Sequence, residues 1–317
     1  PGSIASPLSR EGAFFANNLV FAAFAFVVLL GTVFPLLAEA FNGDRLSVGR
    51  SFFDAMTKPL GLTLLFLMAT APLLSWQRGS SAVLRDRLQW PFAAMTITVG
   101  LCVAFGIRGF LVLVGFGLAT LVIGVSVRQL IVTARALGIR GLFGRHGGGM
   151  VAHIGVAIVA VALVASQSFS SRVELQLAEG ESATAAGHTI TFLGLRNEQH
   201  PNRSHVAADI RVDGGRIYSP GLSRFPNSTE AVGVPSVRST LFEDVYLTLV
   251  RTPSGEGDRT VLSVIVQPLV SWLWFGGFVI ALGSALALVD VRRRSSPVRV
   301  LTLDDEAFEP ERERQLT

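Results

Sequence analysis

The sequence predicts an α-helical polytopic membrane protein of about six transmembrane helices with a small, mostly β extracytoplasmic domain. Three observations carry that reading. Half of the 317 residues are hydrophobic and only 16% are charged, with a mean hydropathy of +0.51, whereas soluble domains are roughly a quarter charged. Apolar runs close to the ~20 residues that a bilayer crossing needs recur along the chain. Before the last of them, residues 170–265 change to short alternating or β-rich runs broken by turn residues.

In chain order, the sequence opens at Pro1 without methionine or a signal-peptide pattern, and its first dozen residues are polar. It reads as a chain entered in the middle, a processed half or the ordered part of something longer. Candidate spans follow at 17–39, 58–76, 90–107, 110–133, 150–169 and 266–289, and only "RG" parts the third from the fourth, which predicts a tight helical hairpin. Arginines set the orientation. Arg78, Arg85 and Arg87 follow the second span, Arg135, Arg140 and Arg145 precede the fifth, and Arg292 to Arg294 follow the last. These belong on the cytoplasmic side, and the even number of spans places the N-terminus there too. The first outer loop, "FNGDRLSVGRSFFDAMTKP", mildly opposes the rule through Arg45, Arg50 and Lys58, because Glu39, Asp44 and Asp54 count for little in it.

Strand signals in the next region are "HTITFLGLR", "HVAADIRV" and "VYLTLV", parted by "VDGG", "SPG" and "RTPSGEGD". A unit of this size sits near the low end for an independent core, so packing against the membrane part or a partner is expected. The chain thus divides into a membrane domain at 1–169 with the first five spans, a β-rich domain at 170–265, the last span at 266–291 and a charged, aromatic-poor cytoplasmic tail at 292–317 that reads as disordered.

Composition excludes several chemistries. The net charge of +4 suits nucleic acid poorly, because the arginines flank apolar segments. Cys102 is the only cysteine, which rules out an intrachain disulfide, a cysteine metal cluster and a CxxC redox pair; within an apolar run it reads as a small core or lipid-facing residue. "GRHGGG", holding His146, reads as a cytoplasmic loop and lacks the lysine and helix context of a phosphate-binding loop. His188, His200 and His205 lack metal-finger spacing, and "HPNRSH" is at most a weak anion or metal site. Neither a Ser/His/Asp constellation nor a carboxylate pair stands out. Trp272 and Trp274 mark the outer edge of the last span, where interfacial tryptophans lie.

The sharpest feature is His153, an imidazole inside the apolar run "GMVAHIGVAIVAVALVASQSF". Ionisable groups inside a membrane are costly and tend to be functional. Its helical neighbours are Gly149, Met150, Val156, Ala157 and Ala160, several small enough to admit a backbone or a flat macrocycle. From the residues alone two readings stay open. His153 either hydrogen-bonds a carbonyl in a small-residue packing seam or is an axial ligand to haem iron.

Several stretches together resemble one family. "LSREGAFFANNLVFAAFAFVVLLGTVFPLLAEA", "LSVGRSFFDAMTKPLGLTLLFLMATAPLLSW", "GGMVAHIGVAIVAVAL", "VPSVRSTLFEDVYLTL" and "QPLVSWLWFGGFVIALGSALAL" are similar, in order, to segments of the CcmF family of cytochrome c maturation proteins. Family members are about twice as long, and this chain resembles their C-terminal half. The other half carries the tryptophan-rich haem-handling segment, two external haem-ligating histidines and the first transmembrane histidine. The resemblance implies that His153 matches the family's second transmembrane histidine, an axial ligand of a structural haem b. It implies part of a haem lyase that takes haem from the chaperone CcmE and helps join it to CXXCH thiols of apocytochrome c held by CcmH, with the haem-transfer site and catalytic residues outside this chain. It further implies a bacterial inner membrane, an outer, periplasmic β domain and the N-terminal half as partner; Arg50 and Lys58 lie on the side where haem propionates would need cations. One departure is Gly49-Arg50-Ser51-Phe52-Phe53-Asp54, where the family usually has a proline-stiffened loop. The rival readings are a membrane transporter, for which no internal repeat is visible, or a scaffold subunit without haem.

Overall fold

The computed structural model describes residues 10–43, 47–74, 81–226, 231–253 and 258–289, with the side chains of residues 10, 81–86 and 200 excepted. Arg45, Arg78, the arginines at 292–294 and the tail therefore lie outside the described residues, as does the side chain of Arg85. Six long helices are described: α1 (Arg10–Asn42), α2 (Arg50–Thr70), α3 (Ser81–Ala104), α4 (Phe110–Leu137), α5 (Gly144–Ser168) and α6 (Ser271–Leu288). Five of them are long and apolar enough to cross a membrane, and α3 is not among these. Its apolar stretch starts only after the polar and aromatic segment Arg87, Leu88, Gln89, Trp90 and Pro91, which dilutes it.

Adjacent helices pack through notches left by glycine. On α1, a Cβ at Gly31 would lie 2.6 Å from Cζ of Phe53 on α2. The segment 49–54, read as part of the first outer loop, is mostly helix: Gly49 precedes α2 and Arg50 to Asp54 form its first turns, pinned to α1 by Phe52 and Phe53. Arg50 and Lys58 both reach Asp54 Oδ2, at 3.8 and 3.1 Å, so these cations are engaged along their own helix. The α3–α4 hairpin forms as expected, turning at Gly106, whose φ of +85° suits glycine. It closes where Pro91 fills the notch at Gly124, with Met95 and Val99 against Gly117.

Two expectations need correction. "GRHGGG" is helical, because α5 begins at Gly144 and His146 sits exposed on its first turns. Gly147 and Gly148 are buried against the Leu142 carbonyl and against α6, and that packing outweighs the low helix propensity of glycine. The sixth span was expected from Val266, yet α6 starts at Ser271. Val266 to Pro268 close a strand, where Val266 pairs with both Ser171 and Val245. A buried strand and a spanning helix are both unbroken apolar runs, so hydropathy merges them. Leu269, with φ of +59°, marks the turn between them.

Between α5 and α6 lie ten strands: β1 (Ser171–Leu177), β2 (Ser182–Ala185), β3 (His188–His200), β4 (Arg203–Val212), β5 (Ile217–Tyr218), β6 (Gly221–Arg224), β7 (Val232–Val234), β8 (Ser236–Ser239), β9 (Glu243–Arg251) and β10 (Thr260–Pro268). All pairings are antiparallel. One sheet has the order β1-β10-β9-β8, the other β2-β3-β4-β6-β7 with β5 beside β4. Alternate residues of both sheets point into one core containing Leu175, Ile190, Phe192, Ile210, Leu247, Leu262 and Val264. The three strand signals read from the sequence fall in β3, β4 and β9.

Candidate functional site

The histidine of the apolar run lies on α5, a helix packed on two faces. Toward α6 the packing is backbone on backbone. A Cβ at Gly155 would lie 2.7 Å from the Ile280 nitrogen and 2.8 Å from the Gly276 carbonyl; one at Gly148 would meet the Gly283 carbonyl at 2.5 Å and the Ala287 nitrogen. In return, a Cβ at Gly283 would meet the Gly148 carbonyl at 2.8 Å and Ala152. On the other side, Ala157 is fully buried in a cluster with Leu65, Ala69 and Leu73 from α2 and its adjoining turn and with Ala119, Val122 and Val125 from α4.

His153 stands one helical turn before Ala157, on the α2–α4 side, since residues four apart share a face. The seam with α6 therefore exists but runs through Gly148, Ala152 and Gly155 rather than through the histidine. Val164 of α5 packs against Gly115 of α4.

The carbonyl bond open to His153 in the sequence is not made. Its Nδ1 is buried and has no hydrogen-bond partner, a condition shared among the described residues only with Asp244 Oδ1. An unmet buried polar atom costs about 1–3 kcal/mol, so native folds rarely keep one without use. One turn back on the same face the helix surface is open: a Cβ at Gly149 would meet nothing within 4 Å. An unpartnered imidazole nitrogen one turn from an open stretch of helix surface, on a helix held by backbone contacts, fits what a macrocycle with an axial iron ligand requires.

Two other histidines are occupied differently. His205 Nδ1 lies 2.9 Å from Ser223 Oγ, and its ring covers Gly221. His188 bridges the two sheets, its Nδ1 2.8 Å from Asp213 Oδ2 and its Nε2 3.1 Å from Glu243 Oε1, while Arg238 Nη1 reaches the same Asp213 oxygen at 2.5 Å. Partial desolvation opposes the charge on Asp213, but hydrogen bonds from His188, the Thr189 amide and Arg238 outweigh it and bring its pKa from 3.8 to about 2. Burial pushes the Asp244 carboxyl upward instead. Sequence reasoning missed this cluster, because its members come from four separate segments. Among the described residues no group of three or more His, Cys, Asp or Glu could hold a metal ion.

No family model matches the chain. Individual relatives do. The cytochrome c-type biogenesis protein CcmF of Pseudomonas aeruginosa is 31% identical over 309 residues, which cover 95% of this chain and 46% of that protein. CycK of Rhizobium meliloti, another cytochrome c-type biogenesis protein, is 29% identical over 98% of this chain and 48% of its own length. A solved structure of a cytochrome c heme lyase, CcmF, superposes with a TM-score of 0.69 at 30% identity, covering 90% of this chain and 46% of that one. The chain spans about half the length of these relatives. It is similar, along nearly all of its own length, to the C-terminal half of CcmF-type proteins.

Proposed function

We propose that this CcmF-like C-terminal half serves in a haem lyase of cytochrome c biogenesis, and that His153 supplies one axial ligand to a transmembrane haem b. The observation that carries the reading is the buried, unpartnered Nδ1 of His153 one turn from the open helix surface at Gly149. When bound, the haem would pass on electrons, received from a donor outside this chain, that keep the transferred haem iron reduced. This chain's part is to hold the iron on one side. The α5–α6 seam fixes the helix that carries His153, and the apolar packing of Ala157 against α2 and α4 keeps water from the imidazole. Haem attachment to the CXXCH thiols of apocytochrome c belongs in this scheme to the remainder of the lyase, with CcmE delivering haem and CcmH presenting the thiols.

The chain sits in the bacterial inner membrane. Arg135, Arg140 and Arg145, at the α4–α5 connection, mark the cytoplasmic side, so the β domain at the opposite end of α5 stands in the periplasm. The test is a reduced-minus-oxidised and pyridine haemochrome spectrum of the purified complex, wild type against His153→Ala. Loss or weakening of a b-type signal in the variant is expected. An unchanged signal at equal protein yield would return His153 to helix packing.

A further inference from the structure

The link between β8 and β9, Thr240 to Phe242, is built to leave water. Four consecutive carbonyls are satisfied from within the chain. Ser271 Oγ donates to the Thr240 carbonyl at 2.7 Å, Trp272 Nε1 to that of Leu241 at 3.0 Å, the Leu269 amide to that of Phe242 at 2.7 Å, and Thr240 Oγ1 to that of Glu243 at 2.7 Å. Three of these donors come from the entry to α6. The side chains at the tip do the reverse of hiding: Leu241 is 63% and Phe242 67% exposed. The flanking charges point back into the domain, where Arg238 pairs with Asp213 and Glu243 with His188.

A surface loop in water has no need to satisfy every carbonyl, and it gains nothing by presenting leucine and phenylalanine. A loop at a bilayer needs both, because hydrocarbon offers no partner to an open carbonyl. The tip is also continuous with a lipid-facing surface: Trp274 and Phe275, in the first two turns of spanning helix α6, are 82% and 50% exposed. Trp272 packs edge-on to Phe275 at 5.7 Å while its indole N–H holds the tip. Aromatic residues of this kind favour the headgroup level.

We propose that Leu241 and Phe242 insert into the lipid interface on the β-domain side of the membrane, so that the β domain is seated on the bilayer as well as on α5 and α6. The partner is the phospholipid surface itself. The His188–Asp213–Arg238–Glu243 cluster then acts as the tie that keeps charge away from that seat.

The experiment uses the full complex in phosphatidylcholine–phosphatidylglycerol nanodiscs. Cys102→Ser removes this chain's only thiol, the complex without an added cysteine gives the background label to subtract, and a spin label is placed by Leu241→Cys or Phe242→Cys, with Glu179→Cys beyond the far end of β1 as the aqueous reference. Relaxation by oxygen over relaxation by a nickel chelate should be several-fold higher at 241 and 242 than at 179. Nickel access equal to that at 179 would place the tip in water and overturn the proposal. Protection from both reagents would mean that protein covers it, with the same consequence. A photo-crosslinking residue at Phe242 gives a check that needs no thiol change: lipid adducts are expected, and protein adducts alone would overturn the idea.

Discussion

Where α5 meets α6, backbone touches backbone through Gly148, Gly155, Gly276 and Gly283, whereas the β domain is filled by Ile190, Ile210, Leu247 and Leu262. The two regions hold together for different physical reasons. In the β domain, removing a large aliphatic side chain from water yields about 1.5–3 kcal/mol. Among lipid tails that gain vanishes, since the surroundings are as apolar as leucine. Helices then associate through close contact, which only small residues permit. The same contrast explains why large side chains stay outside on α1, where Phe15, Phe26 and Leu29 are about 60% exposed.

The harshest test of the contrast is Gly283→Leu. Its side chain would meet the Gly148 carbonyl and Ala152 at backbone distance, which flexible neighbours cannot relieve. A loss at or beyond the ~3 kcal/mol end of ordinary overpacking is expected, read from denaturant titration in bicelles. Gly149→Ala, in open space on the same α5, should cost nothing and so serves as the control. If both variants behave alike, the seam is not what holds α6. Next in size is Ile210→Ala, at a fully buried core position. About 2–5 kcal/mol should be lost from the β domain, with the helices' unfolding unchanged. Loss of helix packing in step with the domain would show instead that the two regions fold as one unit.

The smallest expected effect is electrostatic. Asp213 has its pKa depressed from 3.8 to about 2, so its contribution is complete above about pH 4 and is lost as the pH falls toward 2. Its side chain is more than a third exposed, and solvent screening keeps the effect at about 1 kcal/mol or less. Asp213→Asn should flatten the acid limb of β-domain unfolding, followed by circular dichroism between pH 2 and pH 5. An unchanged acid limb would show that other carboxylates set it.

Hydropathy and alternation made most of the architecture legible, because bilayer thickness and sheet pleating each impose a period on the chain. The candidate site was legible in one residue: His153 stood out because imidazole is rare in an apolar run. Its surroundings were not. Reading along the helix drew attention to Gly149, Ala157 and Ala160, yet the α6 seam uses Gly148, Ala152 and Gly155, and only the position of α6 selects that face. The tie around His188 draws on Asp213, Arg238 and Glu243, 25, 50 and 55 positions away, which no local pattern joins.

The sequence by itself determined that the chain lies in a membrane, roughly where its long apolar helices fall, though all but α4 begin five to nine residues from the starts read from hydropathy, and that a β unit interrupts them. Those properties follow from what each short segment can tolerate in lipid or water. Tertiary structure alone decided that 266–268 are strand and α6 begins at Ser271, that "GRHGGG" is helix, and that the His153 nitrogen stays unpaired one turn from open helix surface. Each of these depends on what a distant segment places alongside, and an apolar run carries no record of its neighbour.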